Sequence, residues 1–207
     1  MSGIPVDLAI EDELSEMVLR KLLALANRGY HIGATYRRGG FGYLRRTING
    51  WNAAARGRPF VVLTDLDDDA CPAALIESWL TSPPHPNLLF RVAVREVEAW
   101  LLADAGNFGK FLGIEESRVP TPPDEIPDPK AALVELAQLC RSRNIRGRLV
   151  PRRGSTAKQG PDYNGCLGEF VTNGWNARVA SRRSPSLARA MARFDAFTPI
   201  WPDTGQA

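Results

Sequence analysis

Residues 59–69 read PFVVLTDLDDD. Every position from 60 to 64 is apolar or β-branched, with no polar residue alternating among them. A strand wetted on one side alternates, whereas a strand covered by helices on both faces does not. The stretch therefore predicts a central strand of a parallel sheet, opened by Pro59 and carrying Asp65 at its carboxyl end.

Outward from this strand the same unit recurs. Upstream, residues 4–10 form an aliphatic strand that ends at Glu11. Leu14, Met17, Val18, Leu22 and Leu25 then repeat at helical spacing as far as Gly29, a helix stop. Residues 30–36 read as a second strand. Arg37-Arg38-Gly39-Gly40-Phe41-Gly42 reads as a flexible basic loop before a helix through Leu44, Ile48 and Trp51 that ends near Gly57. Downstream come a helix at 72–80, a proline-rich turn at 83–86, a fourth strand at 88–94 and a helix at 95–112. In that last helix Val97, Trp100, Leu101 and Leu102 mark the apolar stripe. Parallel neighbours need a crossover, which a helix supplies. The order βαβαβαβα thus predicts an α/β domain over residues 1–114, a Rossmann-like, four-stranded, mainly parallel sheet flanked by helices. Ligands of such sheets bind beyond the carboxyl ends of strands, the edge to which Glu11 and Asp65 are assigned.

The alternation stops at residues 119–129 (VPTPPDEIPDP), which read as a surface segment. A helix at 130–140, a basic Gly/Pro/Ser loop at 143–162 and short helices at 163–175 and 186–197 follow. Residues 115–207 are expected to form a helical, basic extension packed on or beside the sheet domain. Asp162 or Asn164 would cap the helix after the turn at 160–164.

Net charge is only +3, but residues 141–193 hold twelve Lys/Arg against two acids, which leaves the remainder net acidic by seven. An acidic half joined to an arginine-rich half suits a metal-dependent enzyme acting on a polyanion. Two solvated faces that maintain solubility give the same composition. No apolar run reaches the roughly 18 residues of a membrane span. The N-terminal MSGIPVDLAIEDELSE is acidic where a secretion signal is basic. A cytoplasmic location without membrane association is the expectation. Cysteines 71, 140 and 166 lack CxxC spacing and read as buried or inert thiols. His31 and His85 have no partner at zinc-ligand spacing. Neither GxSxG nor GxxxxGK[ST] is present, which argues against a serine triad and against ATP hydrolysis by this chain alone.

The carboxylates carry the candidate chemistry. Asp65 and Asp67, two apart after a strand, are expected to project on the same side as the chain leaves the sheet. Hard oxygen donors at this spacing suit Mg2+ or Mn2+; acidic runs after strands also occur as plain solvated turns. With Glu11 at the end of the first strand, the metal-ligand candidates are Glu11, Asp65, Asp67 and Asp69. Glu96 and Glu98, two apart on an expected helix, should face different ways. Glu98, between the apolar Val97 and Trp100, is the one favoured to enter a site, because a carboxylate beside packed positions needs a partner or a metal. Asp104 reads as a helix-end polar residue.

A glutamate after the first strand (AIEDE) with DxD after the third (VVLTDLDDD), in a four-strand alternating unit, resembles the TOPRIM domain of topoisomerases, primases and OLD-family nucleases. The resemblance covers residues 4–112. VAVREVEAWLLAD further resembles a signature of RloB-type bacterial proteins, which are often encoded beside ABC-type ATPases in phage-defence operons. The resemblance implies Glu11 as metal ligand or general base, Asp65 and Asp67 as magnesium ligands, and Glu98 as a further catalytic member. A metal so held would polarise a phosphodiester and lower the pKa of an attacking water, with a second ion about 4 Å away stabilising the leaving oxygen. No tyrosine is marked as a topoisomerase nucleophile, which favours cleavage by water.

Arg146, Arg148, Arg152, Arg153 and Lys158, with Arg141 and Arg143, lie among glycine and serine and are the candidate nucleic-acid contacts, to DNA or RNA. A solvated loop, or a patch that docks an acidic protein, would read the same. The leading expectation is a Mg2+-dependent TOPRIM-type nuclease, the effector of a phage-defence system whose ABC- or AAA-type ATPase is a separate protein. The second is a non-catalytic TOPRIM-like regulatory subunit that docks such an ATPase. It is motivated by Asp12 standing where the family commonly has glycine after the glutamate, and by the missing glycine after DxD. A third, a response-regulator-like receiver, lacks the fifth strand and its lysine.

Overall fold

A computed structural model of the chain describes residues 3–201. These fall into two compact units, Met1–Val92 with Ala190–Ala207, and Ala93–Arg189. The junction expected at 114/115 lies inside the second unit.

The first unit holds the sheet. β1 (Ile4–Ile10), β2 (Tyr30–Tyr36), β3 (Phe60–Asp65) and β4 (Leu88–Ala93) align in the order β2-β1-β3-β4, all parallel. α1 (Glu13–Leu25), α2 (Gly40–Ala54) and α3 (Pro72–Trp79) supply the crossovers. β1 and β3 are central and read accordingly: Val6, Leu8, Ile10, Val61 and Leu63 are wholly buried. β2 is an edge strand with exposed His31, Gly33 and Ala34.

Register fixes the edge where the site lies. Ala9 of β1 pairs with Tyr36 of β2, and Ile10 pairs with Leu63 of β3, so all three strands end within a residue or two of one level. The β1–β2 ladder slips between Val6 and Leu8. Asp7 fills the irregularity, its carboxylate accepting the Ala34 amide at 2.9 Å and Arg58 Nε at 2.8 Å.

The chain returns to this unit at its end. α10 (Pro185–Ala196) carries the boundary between Arg189 and Ala190. Beyond that boundary Phe194 and Phe197 are buried, Tyr30 donates to the Phe194 carbonyl at 2.6 Å, and Asn87 bonds both the amide and the carbonyl of Ile200.

The second unit is helical. α4 (Val97–Leu102) is buried along its whole length, and α5 (Ala105–Leu112) follows. The expected single helix over 95–112 is thus two helices, separated at Ala103 and Asp104. The remainder comprises α6 (Pro129–Gln138), α7 (Arg143–Leu149), α8 (Tyr163–Asn173) and the single turn α9 (Ala177–Ala180). Two short 3-10 turns, Glu116–Arg118 and Pro123–Glu125, lie in the proline-rich region.

Two expectations need correction here. The proline-rich segment does not merely run over the surface: Val119, Pro123 and Ile126 are buried, and Asp124 accepts from Ser184 Oγ and the Ser186 amide. The basic loop at 143–162 begins as a helix, because Ser142 caps the Ile145 amide and Leu149 supplies a buried anchor. Arginine and glycine dilute the periodicity that would have announced it. Among the described residues no helix is long and apolar enough to cross a membrane.

Candidate functional site

At the carboxyl edge of the sheet, Glu11 leaves β1 and turns towards β3. Its Oε1 accepts the Thr64 hydroxyl and the Asp65 amide, the latter at 3.1 Å. Thr64 is buried, so the last turn of β3 is committed to holding this carboxylate. Burial pushes the Glu11 carboxyl above the ordinary range. The Thr64 and Asp65 bonds oppose that shift, and the charges of Asp67 and Asp12 add to it. A carboxylate desolvated beside a second carboxylate is an arrangement that a cation would relieve.

Asp12 has a separate task. It is the N-cap of α1, accepting the Ser15 amide at 2.8 Å, which explains an aspartate immediately after Glu11. Asp67 does not continue the strand, as the two-residue period assumed. Its φ is +47°, a left-handed conformation uncommon outside glycine, while Leu66 before it is buried and the Asp69 amide bonds back to the Leu66 carbonyl. Asp65 is half-buried, and Asp67, Asp68 and Asp69 are exposed.

The expected four-ligand set of Glu11, Asp65, Asp67 and Asp69 is not assembled as such. Among the described residues no group of three or more His, Cys, Asp or Glu side chains is arranged to hold a metal. The physical reason is the turn at 66–69, which takes the later aspartates out of strand alternation. The donor set nevertheless fits magnesium in the way that ion is commonly bound, through one or two carboxylates with retained waters and substrate phosphates rather than an all-protein cage. Of the aspartates after β3, Asp67 is one whose charge acts on Glu11.

Glu98 lies in the second unit and is 2% exposed. It accepts the Tyr163 hydroxyl at 3.1 Å, and Lys130 Nζ lies 3.6 Å away. The expectation that Glu96 and Glu98 face apart fails. Glu96 is the extended N-cap residue of α4, with φ −139°, so helical geometry does not govern it. Lys130 Nζ lies 3.4 Å from Glu96, which also accepts the Lys130 amide. Both glutamates therefore meet one lysine. Asp104 is likewise a structural anchor, accepting from Asn107 and from the Asn176 amide.

Of the candidate nucleic-acid contacts, Arg146, Arg152, Arg153 and Lys158 are exposed. Arg148 is engaged within the protein: Nε bonds Asp162 at 2.6 Å, and its two terminal nitrogens grip Glu169 at 2.9 and 2.8 Å. Asp162 thus receives an arginine where a helix cap was expected, and the paired Glu169 carboxyl is held below its usual range by Arg148. Cysteine expectations hold for Cys140 and Cys166, both buried, the latter thiol pushed up to about 11 by burial. Cys71 is exposed and caps α3 through Sγ. Sequence reading missed Thr64 as a partner of Glu11; a hydroxyl at the penultimate residue of an otherwise aliphatic strand was the available signal.

No protein-family model, curated protein or solved structure matches the chain.

Proposed function

We propose that the first unit is a Mg2+- or Mn2+-dependent phosphodiesterase of TOPRIM type acting on DNA or RNA. The observation that supports this reading is the half-buried Glu11 carboxylate, braced by Thr64 and the Asp65 amide at the carboxyl edge of the sheet and repelled by Asp67. Both braces fall on Oε1, so the second oxygen keeps its lone pairs for a cation or a water. Glu11 and Asp67, with Asp65 at the strand end, would hold the ion, and waters and substrate phosphate would complete its coordination. When bound, the ion would polarise the phosphodiester and activate water. The protein's own part is to keep Glu11 oriented. The bonds from Thr64 and Asp65 favour its charged form against burial, and the charged carboxylate is the form that binds a cation. Purified protein with plasmid, single-stranded DNA and tRNA should cleave at least one of them in Mg2+ or Mn2+. Asp65→Asn and Asp67→Asn should each lower the rate by at least about 100-fold, the scale lost with one positioned electrostatic group. Undiminished cleavage by both variants would remove the assigned site.

A second reading, a non-catalytic TOPRIM-like subunit that docks an ATPase in a phage-defence pair, is favoured by one observation: no three-carboxylate group is assembled among the described residues. A stable complex with an ATPase encoded nearby, without metal-dependent cleavage by either component, would select it.

A further inference from the structure

Away from the carboxylates, α2 and its flanks form a second strongly basic stretch. Residues 37–58 contain six arginines and no aspartate or glutamate. Two of the six are paired inside the first unit: Arg37 with Glu13 and Glu16, Arg58 with Asp7. The other four, Arg38, Arg45, Arg46 and Arg56, are exposed and have no side-chain hydrogen bond or ion pair among the described residues. Helices usually offset cations with acids three or four residues away. Around Arg45 and Arg46 those positions are Phe41, Gly42, Tyr43, Ile48, Asn49 and Gly50.

The glycines are a second, independent observation. A glycine inside a helix costs about 1 kcal/mol relative to alanine, and packing often explains it. Gly50 has no such explanation: a β-carbon there would meet nothing within 4 Å. At Gly42 the nearest neighbour would be the Arg46 guanidinium at 3.3 Å. The outer face of α2 is thus low and cationic, a surface that another polymer's backbone can approach closely.

Its position follows from register. α2 is fed by β2, whose Tyr36 lies opposite Ala9, so Arg37 and Arg38 leave the sheet at the same edge as Glu11. Fifteen helical residues span about 22 Å, the reach of about six phosphates along one strand.

We infer that the exposed face of α2, through Arg38, Arg45, Arg46 and Arg56, is a docking surface for a nucleic-acid phosphate backbone, leading a strand to the carboxylate edge of the same unit. The identity of the polyanion rests on the nuclease reading; the surface itself rests on the arginines. Phosphate contacts of this kind position a strand without reading its sequence.

Fluorescence anisotropy with a labelled single strand, the matching duplex and an RNA hairpin, all in EDTA, measures docking without metal or cleavage. Wild type should bind at low salt. The Arg38→Ala/Arg45→Ala/Arg46→Ala/Arg56→Ala variant should bind more than about tenfold more weakly, with a salt slope shallower by about three. Its melting temperature should be unchanged, since the side chains are exposed. The corresponding four-lysine variant should retain most of the affinity, and Arg45→Glu/Arg46→Glu should lose it with only two substitutions. Equal affinity of the alanine variant and wild type overturns the inference. So does the absence of nucleic-acid binding, or α2-dependent binding to poly-glutamate alone. Docking that depends on α2 but is never followed by cleavage in Mg2+ leaves the surface standing and removes the nuclease reading.

Discussion

Glu11 concentrates what a single residue can reveal. Its carboxyl is pushed above the ordinary 4.5 chiefly by burial, against the opposing bonds from Thr64 and Asp65. The folded chain therefore holds this proton at a pH where the unfolded chain has released it, and stability must fall as pH rises from the ordinary carboxylate range through the folded value. Below that range the penalty vanishes. Glu11→Gln keeps an oxygen to accept from Thr64 and Asp65 but carries no charge. It should melt higher than wild type at neutral pH, and the difference should close as the pH is lowered below about 4.5, read by thermal denaturation across pH. A variant that destabilises equally at all pH values would show that the charge is not what the site strains to hold. The position of Glu11 was legible from its place at the end of an aliphatic strand. The Thr64 brace and the left-handed Asp67 were not, because strand alternation was extended past the point where the chain turns.

At the scale of elements, aliphatic strands and amphipathic helices were readable because their periodicity is set by burial on one or two faces. β1 and β2 match their expected bounds, and β3 and β4 differ by a residue at one end. Elements held by polar anchors were not readable. α7 and α9 depend on Ser142 and Asn176 caps rather than on an apolar stripe. The stretch EVEAWLLAD illustrates this in the second unit: Glu96 and Glu98 meet Lys130, Trp100 Nε1 donates to Ser186, and Asp104 receives Asn176. The basic segment after α7 is closed at its base, with the Gly160 amide on the Leu149 carbonyl and the Asp162 amide on the Arg148 carbonyl. A β-carbon at 160 would run into the Arg148 backbone. Gly160→Ala should consequently cost about 1–3 kcal/mol, and denaturant unfolding should show it as the more damaging change beside Arg148→Ala, whose ion pairs are solvent-screened. If Gly160→Ala is neutral, the loop closure is not fixed as described.

For the whole molecule, the division into two units was hidden from a linear reading, because the first unit takes up residues from both ends of the described chain. Phe194 and Phe197 complete its core, and Ile200 pairs with the buried Asn87. A chain ending at Arg189 would lose two buried phenylalanines, each of which costs about 3–5 kcal/mol when removed from a core, against a typical total stability of about 5–15 kcal/mol. Hydrogen exchange on that truncation should show the protection of β1 and β3 collapsing; native-level protection would show that the returning segment is dispensable. The same return has a temporal meaning. During synthesis, residues 4–93, which carry all four strands, emerge well before residues 190–201, so the core on that sheet stays open in the interval. The contiguous helical unit can be finished sooner. A nascent chain therefore presents the carboxylate edge on a sheet that still lacks the cover of Phe194 and Phe197.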